Sequence, residues 1–318
     1  MQKKNFKKAY SLLELSIVIL IISILITGAL SVSVGSVHNA KIRTTNERIK
    51  EVYKALGNYL IINKRLPCPA SLRKIKTVDS DYGVEISGGG SGCADPNIFQ
   101  STTNANLFYG MVPVRALGLA NEMAEDAFES KLVYIVDRRF TNLWETVPNF
   151  NNSTFSTSPY TAVMTINEKP SGITQAITAD AIMVIISHGA NKYGAFNANA
   201  STQNGASTDS DEQGNYVVNP GSPASQGTYD NIFTASSSNS DIFDDIVFFK
   251  RRNDMVEDFN AMFLIPCQDA GVLFGNVNAY YGQVVYATSS CSNPNEDKRL
   301  TKKCEAYGSW VDIVSSCP

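Results

Sequence analysis

Along this chain the spacing of apolar positions changes character three times, and each change marks a different kind of element. From Leu15 to Val34 the residues are Ile, Leu, Val, Ser, Thr, Ala and Gly only, twenty positions without a charge. A helix of that length rises about 30 Å, the thickness of a bilayer's hydrocarbon core, so the run predicts a membrane-spanning helix. Between His38 and Lys64 the pattern becomes amphipathic. Ile42, Ile49, Val52, Tyr53, Leu56, Tyr59 and Leu60 fall on one stripe, and Lys41, Arg43, Glu47, Arg48, Lys50, Glu51 and Lys54 fill the remainder. Together the two stretches predict one helix over 10–64, its membrane part over 10–37. The segment Arg65-Leu66-Pro67-Cys68-Pro69 ends it, because each proline removes a backbone donor and biases its predecessor away from helix.

The third pattern is short and β-branched. Lys131 to Val136, Tyr160 to Ile166, Ala181 to Ser187 and Ile246 to Phe249 read as strands, and the near-continuous apolar run at Ala181–Ser187 predicts a central one. Glu122 to Glu129 reads as a short helix. Between Phe196 and Asp241 the chain turns to Asn, Ser, Thr, Gly and Asp, the composition of a long surface loop. The expected fold class is α+β: a long N-terminal helix packed on an antiparallel sheet over 65–260, followed by a small disulfide-rich β module over 261–318.

Charge fixes an expected topology. Lys3, Lys4, Lys7 and Lys8 precede the apolar run and no cation follows until Lys41, so the positive-inside bias places the N-terminus in the cytoplasm and the rest of the chain across the membrane. Glu14 stands at the edge of the apolar run, where a carboxylate is costly unless it finds a partner. Cleavage after Ala9 would create an α-amino group on Tyr10, and the amine of a neighbouring copy would neutralise Glu14 inside a helical bundle. The 318 residues hold 27 basic and 30 acidic side chains; loss of the four leader lysines leaves 23 basic ones and a formal charge of about −7. Such a surface does not point to nucleic acid, whose affinity rests on clustered Lys and Arg, although it leaves a role in DNA uptake open.

All six cysteines, Cys68, Cys93, Cys267, Cys291, Cys304 and Cys317, follow the apolar run, so export to an oxidising space makes disulfides the expected state. The simplest scheme pairs Cys68 with Cys93 and the last four among themselves. No Cys-x-x-Cys spacing supports zinc. The polar loop concentrates oxygen donors over Asp209-Ser210-Asp211-Glu212-Gln213-Gly214-Asn215, and Asp241, Asp244 and Asp245 close its far end; Asp209, Asp211, Asp244 and Asp245 are the candidate calcium set, and the loop is not an EF-hand, since Gln213 and Pro220 occupy the fifth and twelfth positions. No other cofactor is suggested.

The junction Ala9-Tyr10-Ser11-Leu12-Leu13-Glu14 resembles the type IV prepilin family, including the pseudopilins of type II secretion. That family's signature is a small residue, a cleavage point, an aromatic residue, Ser or Thr, two aliphatic residues and Glu. The family usually carries Gly before the cut and Phe after it; Ala9 and Tyr10 keep the small size and the aromatic character. The resemblance implies a prepilin peptidase that cleaves between Ala9 and Tyr10 and methylates the Tyr10 amine. It implies that Glu14 aligns the subunit in a filament whose other subunits are its partners, with the inner membrane and then the periplasm or cell surface as location. The Leu-Pro-Cys-Pro turn, Tyr109-Gly110-Met111-Val112-Pro113, Ser187 to Ala195 and Asp244 to Val247 are similar to segments of a group of pseudopilin-like proteins. The size of the exported part fits a minor or tip subunit better than a densely repeated shaft. The alternative is a membrane-anchored periplasmic binding or adhesion protein that does not polymerise.

The end of the chain, Cys304-Glu305-Ala306-Tyr307-Gly308-Ser309-Trp310 with Cys317, resembles the close of a sushi-like module. That resemblance implies the pairs Cys267–Cys304 and Cys291–Cys317. Ser187-His188 suggests two parts of a hydrolytic triad, but neighbours on a strand point to opposite faces, and no Gly-x-Ser-x-Gly surrounds Ser187. The expectation is a protein without catalytic residues.

Overall fold

The structure is a computed structural model, and it describes residues 12–63, 65–86, 93, 99–100, 107–137, 140–141, 164–216, 231–237, 242–259, 284–286, 301–304 and 310–314. Helix α1 runs unbroken from Leu12 to Asn63, 52 residues. In its second half Thr45, Ile49, Val52, Leu56 and Leu60 are buried at spacings of three and four, so one stripe enters the core while Lys50, Glu51 and Lys54 stay in solvent. At its first half the large apolar side chains from Leu12 to Ile24 are 48–88% exposed.

Seven strands form the main sheet: β1 (Phe99–Gln100), β2 (Leu107–Met111), β3 (Val133–Asp137), β4 (Met164–Lys169), β5 (Gln175–Ser187), β6 (Ile232–Ser237) and β7 (Ile246–Arg251). Their order is β1-β2-β3-β5-β4-β6, with β7 also on β5. Strand β5 is the spine. Ala181 pairs with Met164 of β4 on one side and Arg251 of β7 on the other, and Val184 pairs with both Ile135 of β3 and Phe249 of β7. Flanked on both sides, Ala181–Ser187 is wholly buried, whereas Gln175–Asp180 is mostly exposed. The core unites β2, β3 and the second half of β5 with the α1 stripe and the Leu66–Leu72 segment.

The expected antiparallel sheet is corrected here. Strand β6 lies parallel to β4, Thr165 opposite Ile232 and Asn167 opposite Thr234, so the sheet is mixed. It arises inside the stretch read as a surface loop, 196–241. Phe233 and Thr234 are buried there, and a short helix α2 (Ser210–Gly214) buries Asp211 and Glu212. The short helix expected at Glu122–Glu129 is also corrected: Asn121–Ala124 is a single 3₁₀ turn, and Glu129 takes φ +70° on the way into β3. A third helix, α3 (Arg252–Asp258), follows β7 directly.

Cys68 and Cys93 form a disulfide as the spacing suggested. The loop they close is held at its base by Glu85, whose carboxylate accepts from the Cys68 amide (2.7 Å) and the Tyr59 hydroxyl (3.0 Å) and pairs with Arg65 (2.5 Å). Of the expected disulfide-rich module, the described residues form a three-stranded antiparallel sheet, β8 (Val284–Tyr286), β9 (Thr301–Cys304) and β10 (Trp310–Val314). Cys304 is disulfide-bonded; Cys267, Cys291 and Cys317 lie outside the described residues, and with them the two expected pairings.

Candidate functional site

Two regions carry the residues singled out in the sequence. The first is the free half of α1. Glu14 occupies its first turn, while Ala9 and Tyr10 lie outside the described residues. Ser16 and Ser23 turn their hydroxyls onto the carbonyls of Leu13 (2.8 Å) and Ile19 (2.7 Å), so neither presents an unsatisfied donor on the apolar surface. Among the described residues no helix is long and apolar enough to cross a membrane. The side chains of 25–35, within the apolar run expected to span, are outside those residues.

The other half of α1 is fastened to the body by polar contacts as well as by its stripe. Arg48 Nη1 donates to the carbonyls of Glu125 (3.0 Å) and Asp126 (2.9 Å), the Thr45 hydroxyl accepts from the Ala127 amide (3.0 Å), and the Tyr53 hydroxyl donates to Asp258 Oδ2 (2.7 Å). The contacts reach two separate segments, 125–127 and Asp258, which fixes the rotation of the helix about its axis.

The second region is a buried polar layer where β5 ends. Ser187 donates its hydroxyl proton to Asp126 Oδ2 at 2.7 Å, and Asp126 Oδ1 accepts from the amides of Phe128 and Ser130, both 2.8 Å. Burial raises the Asp126 carboxyl above its ordinary range, opposed by those three donors. His188 points the other way, as strand alternation requires. Its Nδ1 lies 3.4 Å from Asp245 Oδ1 and its ring meets Tyr216 edge-on. Ser187 and His188 thus have separate partners rather than each other. Asp245 Oδ2 accepts from Asn215 Nδ2 (2.9 Å), and Asn215 Oδ1 accepts from the Thr234 amide (2.9 Å), linking the layer to β6.

Asp244 sits at the rim. Its Oδ2 accepts from the amides of Ala190 (2.7 Å) and Asn191 (3.0 Å) in the turn after His188. Gly189, at φ +59°, makes room for it: a Cβ there would lie 2.3 Å from Asp244 Oδ1. Burial pushes the Asp244 carboxyl up, and its acidic neighbours Asp245 and Glu212 add to the rise.

The four-aspartate set is corrected by this geometry. Asp209 is the N-cap of α2, accepting from the amides of Asp211 (2.7 Å) and Glu212 (3.1 Å). Asp211 is paired with Lys169 and accepts from Ser237 Oγ at 2.7 Å. Neither joins Asp244 and Asp245; Glu212 does, with one oxygen from each carboxylate within 4.8 Å of the others. The missed residue carried a signal. Asp209-Ser210-Asp211-Glu212 has a capping residue followed three positions later by Glu, which marks Asp209 as a cap and places Glu212 on the first turn of a helix.

No family model, curated protein or solved structure matches the chain.

Proposed function

We propose that this protein is a non-enzymatic structural subunit, a minor or tip component of a type IV pilus or of a type II secretion pseudopilus. It enters the inner membrane with its N-terminus cytoplasmic, is cut between Ala9 and Tyr10, methylated at the new terminus, and packs through the first half of α1 against other subunits. The observation that supports this reading is the asymmetry of α1. One continuous helix is anchored at Thr45–Leu60 in the core yet bears bare leucines, isoleucines and valines from Leu12 to Ile24. That much apolar surface is costly in water, at about 25 cal/mol per Å², and so calls for a covering of lipid or of other helices. Glu14 at its start supplies the polar element that selects helices over lipid, because a carboxylate near hydrocarbon gains from a neighbouring amine.

Cysteines placed along 15–24 and oxidised in cells test the assembly. Adducts with a second copy or with another pilin-like protein are expected; their complete absence would leave a monomeric membrane anchor and sink the reading.

A further inference from the structure

We propose that the exposed edge of β5 over 175–179 docks the same edge of a second copy of this chain, the two strands pairing antiparallel and centred on Ala176. Strands β4 and β5 form a hairpin closed by the turn Pro170–Gly172. On one side β5 pairs with β4 as far as Gln175, opposite Glu168. On the other side its partner β7 stops at Arg251, opposite Ala181, and the chain turns into α3 at Arg252. Among the described residues no strand continues along that side, and five of the six residues of Gln175–Asp180 are exposed. An edge in this state presents a row of unpaired amides and carbonyls, and the group that meets such a row is an extended chain.

Elsewhere the same sheet shields its edge. Strand β6 is last in the order, and there Asn215 donates to the Thr234 carbonyl and accepts from the Thr234 amide, both at 2.9 Å, with α2 packed alongside. The 175–179 edge has no such cover among the described residues. From Ile173 to Ala179 the sequence holds neither a charge nor a proline, the residues that ordinarily keep a foreign strand away. Ile173 and Ile177 stand in solvent, 64% and 45% exposed.

Charge and order select a second copy as the occupant. Antiparallel pairing centred on Ala176 sets Thr174 opposite Thr178 and Gln175 opposite Ile177, and Asp180 falls opposite Gly172, so no like charges meet. The incoming strand is already extended because its own β4 holds it, so docking avoids the ordering entropy that a flexible peptide would lose. The register of β5 against β4 shifts at Met164/Ile166 and Ile166/Asn167; such bulges deepen a strand's twist, and two copies of one strand share it. The contact is isologous and joins two sheets into one across a two-fold axis. So short an edge buries well under the roughly 1,200 Å² of a stable interface, so the pair is weak and forms where copies are concentrated.

The test uses the full chain in dodecyl maltoside micelles, which cover the apolar half of α1, and reads hydrogen exchange over 175–179. Between about 5 μM and about 500 μM protein these amides are expected to slow by about tenfold, the factor for roughly nine chains in ten paired. Ala176→Lys and Ala176→Glu each set like charges against each other at the two-fold axis and abolish the slowing; an equal mixture of the two restores it. Pairing through α1 alone would not respond to residue 176. Four results overturn the proposal: exchange already slow at the lowest concentration, which would mean cover from within the same chain; no slowing across the series; slowing undiminished in both charged variants; or no recovery in their mixture. If either variant does not fold, a nitroxide on Ala176→Cys decides instead. Dipolar broadening that dilution with unlabelled natural chain removes supports the pair, and its absence overturns it.

Discussion

The ring of Phe259 lies directly on Gly57: a Cβ built at that glycine would stand 2.2 Å from Phe259 Cε1. The contact closes α3 against α1, beside Tyr53, whose ring meets those of Phe248 and Phe259 at a tilt with centroids 5.2 and 4.9 Å apart. Gly57→Val therefore displaces the ring, at a cost of about 1–3 kcal/mol by denaturant unfolding. Combined with Phe259→Ala it should cost less than the two single losses added, since the overlap that penalises valine is gone.

Lys131 is fully buried at the head of β3, its amine donating to the carbonyls of Leu72 and Ala200, both 2.7 Å away. Burial lowers its pKa to about 8, against an ordinary 10.5, with Glu125 and Asp79 pulling the other way. Below pH 8 both native and unfolded chains hold the proton and the cost of burying the charge is fully present. Between about 8 and 10.5 the unfolded chain holds more protons, so stability rises with pH; above 10.5 that cost is gone. The natural chain should gain up to ~3 kcal/mol across this interval relative to Lys131→Met, which lacks the titrating amine. Parallel pH dependence in the two proteins would refute the assignment.

How much of this was legible beforehand differs between elements for physical reasons. Helix α1 and the buried half of β5 announce themselves through spacing, since a stripe at three and four or an unbroken β-branched run has few competing readings. Strand β6, Ile-Phe-Thr-Ala-Ser-Ser, holds two large apolar residues, and what makes it a strand is β4 beside it. Its parallel register depends on chain far away, which local pattern does not encode. The polar layer failed in a related way. Asp209 and Asp211 have the right chemistry for a cation, yet backbone amides and Lys169 claim them first, and Glu212 is left facing inward.

The Cys68–Cys93 bridge closes a separation of 25 residues, and both sulfurs are buried. Replacing both cysteines with alanine should lower stability by roughly 3–4 kcal/mol on loop-entropy grounds, read as a shift in denaturant midpoint. Because Glu85 holds the base of the loop independently, core burial of Leu66 and Leu72 should persist, visible as β3 amides that remain among the most protected while their protection falls in step with the global stability.

On the filament reading, mass spectrometry of the mature protein finds a methylated Tyr10, and an intact Met1 terminus would contradict it. Glu14→Ala keeps membrane insertion but reduces crosslinked assembly by about tenfold if its pairing in the bundle is worth about 1.4 kcal/mol. Unchanged assembly would remove that role from the carboxylate.

The parallel contact between β4 and β6 also sets a timetable. A ribosome completes residue 169 well before residue 232, so one edge of β4 is made without its strand and waits, hydrogen-bonding groups bare, for a partner still to be synthesised. The newborn protein passes through an interval in which that edge is open to any extended chain nearby. A stop codon anywhere between these residues would make the interval permanent.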